Sequence, residues 1–148
     1  MKLTYTIAIT LAAFSIAGFA AEKKIQMKDL PPAVQKAVEE QTKGATVKGI
    51  SKEVENGKTM FEVETTVNGK GRDLILDPAG AVVEVEEEVT LDSIPAPAKA
   101  AIEKKAVGGK ITKLETLTKG KSVTYEAAIK KGMKTSEVTV NADGSSTK

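Results

Sequence analysis

The sequence contains no cysteine, no histidine and no tryptophan. Without Cys no disulfide can form, so the folded chain must be stabilised by packing alone. Without His and Cys, the commonest general base and the strongest side-chain nucleophile are missing, and the usual catalytic triads and zinc sites cannot be built. We therefore predict that the protein is not an enzyme and that it binds no cofactor.

Aromatic residues and arginine are also scarce. Beyond residue 20 the only aromatic residues are Phe61 and Tyr125, and the only arginine in the sequence is Arg72. A core of Val, Ile, Leu and Ala is therefore expected, and it should be thin because small modules bury a limited share of their surface. Protein-binding surfaces rich in Trp, Tyr and Arg are excluded by the same counts.

The amino terminus has the pattern of a secretion signal. Lys2 is followed by an uncharged run over residues 6–17, then by small residues and the charged stretch that begins at Glu22. A transmembrane anchor needs about 20 apolar residues, and this run is shorter. We predict a signal peptide over residues 1–20 with cleavage after Ala20, no membrane anchor after cleavage, and a periplasmic or secreted protein.

The remainder of the chain repeats itself at an offset of 64 residues. Leu30-Pro31 corresponds to Ile94-Pro95, and Phe61-Glu62 corresponds to Tyr125-Glu126. An internal repeat of this kind indicates duplication of one structural unit. We predict two repeats, over residues 21–89 and 90–148.

Each repeat combines helical and strand periodicity. Apolar residues recur at helical spacing after Pro31 and Pro95, and the later runs alternate as antiparallel strands with one polar face do. Turn signals separate these runs at Asn56-Gly57, Asn68-Gly69 and Lys131-Gly132. The predicted fold is α+β: two tandem repeats, each with a strand at residues 25–27 or 82–89, then a helix packed on an antiparallel sheet of three to four strands. The pattern leaves open whether the two sheets join.

These motifs resemble a known family. A helix after Leu-Pro or Ile-Pro, a Gly-Lys turn before an aromatic-Glu pair, and a strand that ends in Asp/Asn-x-x-Gly are similar to the PepSY-like domains of exported bacterial proteins. The resemblance covers residues 25–144, and the tandem form is similar in architecture to the beta-lactamase inhibitor proteins. It implies a binding or inhibitory module that acts on a peptidase or another envelope protein.

The acidic strand that joins the repeats carries the first candidate contacts. Glu84, Glu86 and Glu88 alternate with other residues and therefore share one sheet face. Glu62 and Glu64 share a face in the same way, and either group could form a carboxylate pair or a cation site. The interpretation we favour is a solvated sheet face opposite an apolar stripe. No calcium-loop pattern is present in the sequence.

The two repeats differ in charge. Residues 21–90 carry a net charge of −4, whereas residues 91–148 carry +5. Opposite fields could steer docking between halves or chains, and the lysines of the second repeat could contact an anionic surface such as the cell envelope. The interpretation we favour is that strand lysines prevent edge aggregation. Nucleic acid is an unsuitable partner because no aromatic residues interleave with the basic ones. Arg72, Lys121 and Lys130 complete the candidate partner contacts.

From the sequence we therefore predict an exported, non-catalytic protein that binds or inhibits a peptidase or another envelope protein. Two alternatives stay open. The first is a self-associating structural protein of the envelope, and the second is a binder of a small ligand or cation through Glu84, Glu86 and Glu88.

Overall fold

The structure, a computed structural model, describes residues 20–55 and 57–147. Nearly all of the predicted signal peptide, and Asn56 of one predicted turn, lie outside the described residues. Eight strands and two helices follow in the order β1 (Ala20–Lys24), α1 (Pro32–Gln41), β2 (Thr46–Glu55), β3 (Lys58–Val67), β4 (Lys70–Leu76), β5 (Val82–Glu88), α2 (Ala96–Ala106), β6 (Lys110–Lys119), β7 (Ser122–Lys131) and β8 (Lys134–Asn141).

All eight strands belong to one antiparallel sheet in which every strand pairs with its neighbours in the chain. The predicted fold of two tandem repeats, each with its own sheet of three to four strands, is therefore wrong, although the α+β class holds. The sheets are continuous because β5 pairs with β6, with Val85 opposite Thr118 and Glu88 opposite Glu115. This pairing satisfies two strand edges that separate sheets would leave open.

Each helix begins at a proline pair or Pro-Ala step and buries one narrow stripe. Pro31 precedes α1, whose buried residues are Val34 and Val38, and Pro95 precedes α2, whose buried residues are Ala98 and Ile102. Proline suits the first turn because it has no N–H that would lack an acceptor. The chain leaves α1 through Gly44 at φ +80°, a conformation that glycine adopts without strain.

The strand predicted at residues 25–27 is displaced. The first strand ends at Lys24, and a short 3-10 turn occupies Met27–Asp29. The Asp29 carboxylate accepts a hydrogen bond of 2.9 Å from the Gln26 N–H, which closes this turn. A matching turn precedes α2 at Leu91–Ser93.

Both helices pack on the same face of the sheet, and each covers its own core cluster. The first cluster contains Val38 with Phe61 and Val63, and the second contains Ile102 with Ala127. Val38 and Ile102 are each fully buried and lie 64 residues apart, so the two helices occupy equivalent positions along the sheet. The other face carries no helix among the described residues.

Two glycines hold strand-end turns against the helices. A Cβ on Gly80 would lie 2.6 Å from the Ala33 carbonyl oxygen, and one on Gly144 would lie 2.6 Å from the Pro97 carbonyl oxygen. Both glycines also have positive φ, +85° and +82°. Each turn therefore requires glycine for two reasons: its backbone has a positive φ, and a Cβ would collide with the helix backbone.

Candidate functional site

The sheet face opposite the helices, which we call the helix-free face, is built by strand alternation. Successive side chains of a strand point to opposite faces, so the residues between Phe61, Val63 and the other core positions point away from the helices. Most of these positions are charged. The carboxylates on this face include Glu53, Glu62, Glu64, Asp73, Glu84, Glu86, Glu88, Glu115, Glu126 and Glu137, and the lysines among them include Lys113 and Lys119.

The centre of the helix-free face is a cluster of three carboxylates on three adjacent strands, which we call the central triad. Asp73 on β4 lies opposite Glu86 on β5, and Glu115 on β6 lies beside them. Oxygen atoms of the three carboxylates lie within 4.8 Å of one another. Glu115 is only 5% exposed, so this charge density is removed from bulk solvent.

One ammonium group reaches the central triad. Lys113 Nζ lies 2.7 Å from Glu115 Oε1. Desolvation works against the charged form of Lys113, but the hydrogen bond to Glu115 and the nearby charges of Asp73 and Glu86 raise the pKa overall. Among residues 20–55 and 57–147, one cation therefore faces the three carboxyl groups of the triad, so carboxyl groups outnumber ammonium groups there.

Burial and mutual repulsion hold protons on this cluster. Desolvation, with the charges of Glu115 and Glu84, raises the pKa of Glu86 to about 8. Desolvation also raises the pKa of Asp73, against a hydrogen bond from the Thr65 backbone. Like charges that cannot all ionise in a dry site share protons in this way.

A second carboxylate cluster lies toward the β1 edge of the same sheet. Carboxylate oxygens of Glu22, Glu53 and Glu62 lie within 4.8 Å of one another. Desolvation, followed by the charge and hydrogen bond of Glu53, raises the pKa of Glu62 to about 8. The Ser51 hydroxyl donates to Glu62 Oε2 at 3.3 Å. Desolvation and the charge of Glu53 likewise raise the pKa of Glu22.

The carboxylate face continues from β5 across the second half of the sheet. Glu84 is 7% exposed, and its Oε2 lies 2.9 Å from Lys119 Nζ. The Thr139 hydroxyl donates to Glu126 Oε2 at 2.8 Å, yet desolvation still raises the pKa of Glu126. Desolvation and the charge of Glu126 raise the pKa of Glu137 on β8.

The structure brings together only part of the site predicted from the sequence. Glu84 and Glu86 lie on the helix-free face, and Glu88 is exposed at its border, where it accepts a hydrogen bond of 3.1 Å from the Gly71 N–H. The predicted solvated face is thus replaced by buried or half-buried acids at Glu84 and Glu86.

The three predicted basic contacts lie elsewhere. Arg72 lies on the helix side of the sheet, with its Nε 3.4 Å from Glu87 Oε1 and its Nη1 donating to the Gln41 carbonyl at 3.4 Å. Lys121 lies in the turn between β6 and β7, and Lys130 lies near the opposite end of β7. These residues do not form one site with the acidic strand.

Asp73, Glu115 and Lys113 are site residues that no sequence pattern indicated. If β4 and β5 had been assumed to form a hairpin, with the apolar Leu74 opposite Val85, Asp73 would have been predicted to lie opposite Glu86. Glu115 and Lys113 join the triad only through the pairing of β5 with β6, and no local pattern specifies that pairing.

The geometry of this face suits recognition of positive charge. A carboxylate that is protonated near neutral pH can exchange its proton for an ammonium, a guanidinium or a metal cation, because each supplies the missing positive charge. No Cys or His is present to act as nucleophile or base beside these acids.

Comparison with solved structures shows what the fold is similar to. A protein of Bacteroides eggerthii named as periplasmic has a TM-score of 0.65 with 16% identity, over 80% of this chain and 86% of that chain. A DUF2874 family protein of Bacteroides uniformis has a TM-score of 0.61 with 15% identity, over 80% of this chain and 86% of that one. A BLIP-like protein of Bacteroides fragilis has a TM-score of 0.57 with 16% identity, over 80% and 84%.

These similarities bear on the fold. They support an architecture like that of the beta-lactamase inhibitor proteins, whereas membership of the PepSY family is not shown. No protein-family model and no curated protein matches the chain. Within the described residues, no helix is long and apolar enough to cross a membrane.

Proposed function

We propose that the protein is an exported, non-catalytic binding protein whose helix-free face binds a basic segment of another exported protein, with an envelope peptidase as one such partner. The observation that carries the proposal is the central triad, in which Asp73, Glu86 and Glu115 share a single lysine and Glu86 has a pKa of about 8. A fold similar to that of a BLIP-like protein supports a protein-binding role.

The location of the partner follows from the proposed export. The leader over residues 1–20 has the pattern of a signal peptide, and one structural neighbour, the Bacteroides eggerthii protein, is named as periplasmic. Periplasm or medium is therefore the compartment in which the partner is expected.

Proton release gives this binding mode a signature. A Lys or Arg side chain placed against Glu86 stabilises the ionised carboxylate and displaces its proton. Affinity should therefore increase as the pH rises from about 6 to about 8, because ionising Glu86 before binding then costs less. A partner bound through apolar contacts would show no such dependence.

The test is affinity capture from the periplasm of the native host with matched variants. The paired substitutions Asp73→Asn and Glu86→Gln remove two carboxyl groups from the triad, whereas Glu39→Gln and Glu103→Gln remove two carboxyl groups from exposed helix positions. We expect stoichiometric recovery of one exported protein by the wild type and the helix variant, and loss of it by the triad variant. Equal recovery by both variants would contradict the proposal.

A divalent cation is the second candidate ligand, favoured by the spacing of the triad oxygens within 4.8 Å. It ranks second because Lys113 already supplies an ammonium there. Calcium, magnesium and manganese should each raise the melting temperature of the wild type, and not that of the triad variant, if a cation binds. An unchanged melting temperature with all three metals would remove this candidate.

A further inference from the structure

The end of the sheet beneath the carboxyl end of α2 carries a dense group of lysines, which we call the basic end. Lys104 and Lys105 lie in the last turn of α2, and the chain then passes through Val107 and two glycines into β6. Lys110 at the start of β6 lies opposite Lys130 on β7. The next residues of β7 and β8 close a hairpin in which Lys131 lies opposite Lys134.

The loop and the hairpin touch each other, so the basic end is one surface. A Cβ on Gly109 would lie 2.6 Å from Lys131 Cγ and 2.8 Å from the Lys130 carbonyl oxygen. All six lysines are exposed. Within the part of the chain that the structure describes, none of the six forms an ion pair with a carboxylate.

Two apolar side chains project from the basic end. Met133 at the hairpin tip is fully exposed, and Val107 in the loop is 73% exposed. These are the two most exposed large apolar side chains in the described residues. Each is flanked by lysines along the chain, Met133 by Lys131 and Lys134.

The other half of the sheet shows that the fold does not need these residues. At the offset of 64 residues, the corresponding end keeps its helix terminus and hairpin but lacks most of the lysines and the exposed methionine. Its residues in place of Lys104, Lys105, Lys110, Lys130, Lys131 and Met133 are Glu40, Gln41, Thr46, Thr66, Val67 and Gly69. The basic end is therefore an addition to the shared architecture.

We propose that the basic end binds the surface of a membrane that contains anionic phospholipids. Lysines gather at such a surface because its negative potential attracts each of them, and flanked apolar tips enter the boundary between headgroups and acyl chains. An acidic protein surface would attract the lysines but would not explain why the apolar side chain of Met133 is exposed beside them. This inference is independent of the partner proposed for the helix-free face, whose carboxylate clusters lie elsewhere on the sheet.

The test is co-sedimentation of the processed protein with vesicles of phosphatidylglycerol and phosphatidylcholine, compared with vesicles of phosphatidylcholine alone. We expect binding to the anionic vesicles only, and weaker binding as salt approaches about 0.15 M. The triple variant Lys130→Gln, Lys131→Gln, Lys134→Gln should bind with a partition coefficient roughly 100-fold lower, about fivefold for each lysine.

A matched control separates position from net charge. Lys48→Gln, Lys52→Gln, Lys70→Gln removes three exposed lysines from the first half of the sheet, and we expect less than a roughly threefold loss of binding. Met133→Ser should weaken binding several-fold while leaving the charge unchanged. Circular dichroism checks that each variant is folded.

Three results would overturn the inference. The first is wild-type protein that stays in the supernatant with anionic vesicles, and the second is equal loss of binding in the two triple variants. The third is lysine-dependent oligomers in light scattering without vesicles, which would assign the basic end to the acidic face of a second copy.

Discussion

Replacing Glu86 by glutamine should stabilise the protein at alkaline pH. The Glu86 carboxyl has an ordinary pKa of 4.5, and burial beside Glu115 and Glu84 raises this pKa to about 8 in the fold. Between these pH values the folded chain holds a proton that the unfolded chain releases. The contribution of Glu86 to stability is therefore fully present below pH 4.5 and is lost as the pH rises toward about 8, at about 1.4 kcal/mol per pH unit.

The full interval of the Glu86 pKa corresponds to about 5 kcal/mol, which is a ceiling because the triad shares its protons. We expect roughly 2 kcal/mol of this to be recovered in Glu86→Gln, since the amide fills the same space without a charge that must be desolvated. The variant should be more stable than wild type near pH 8.5 and about equal to it near pH 5. In melting temperature the gain is on the order of 8 °C.

The assay is urea unfolding followed by far-ultraviolet circular dichroism at both pH values. Glu88→Gln is the matched control, because Glu88 lies two residues along the same strand and face but is exposed. It should change stability by less than about 0.5 kcal/mol at either pH. A Glu86→Gln variant that equals wild type near pH 8.5, or is less stable there, would refute the reasoning.

Other expected outcomes concern the triad, the turns and the core. Lys113→Met removes the ammonium that lies 2.7 Å from the Glu115 carboxylate. Because Lys113 is partly exposed, the variant should cost about 2 kcal/mol near pH 8 and less near pH 5, measured by urea unfolding. Gly80→Ala should lower the free energy of unfolding by more than roughly 2 kcal/mol, because the new Cβ would collide with the Ala33 carbonyl oxygen. Gly57→Ala should lower it by only about 1 kcal/mol, because Gly57 has a similar positive φ but open space around it. Equal losses in the two variants would contradict the close approach at Gly80. Val38→Ala and Ile102→Ala should each lower the free energy of unfolding by about 2 to 4 kcal/mol. Each variant should still unfold in a single cooperative transition, because one sheet joins both clusters. Two separate transitions in calorimetry would contradict that coupling.

The parts of the fold that could be predicted from the sequence are those with local periodicity. Val34 and Val38 recur at helical spacing and are buried on α1, and Phe61 and Val63 alternate with acids and are buried on β3. The turn at Asn68-Gly69 is also confirmed, with both residues at positive φ. Such patterns work because side-chain direction follows directly from helix and strand geometry.

The long-range pairing could not be predicted in the same way. The sheet is continuous because Val85 pairs with Thr118, although α2 lies between them in the sequence. The residues near Val85 and near Thr118 contain no pattern that predicts this pairing. The site depends on the same step. From the sequence alone, Glu86 has the pattern of a solvated acid on a strand. In the fold, β6 places Glu115 and Lys113 beside it, and the resulting burial raises the pKa of Glu86.

The most direct test of the proton-sharing carboxylate face is a site-resolved NMR titration of the side-chain carboxyl carbons of Glu62 and Glu86. We expect titration midpoints of about 8 for both carboxyls. Midpoints at the ordinary value of 4.5 would contradict it, because the face would then be fully ionised at neutral pH and would release no protons to a basic partner.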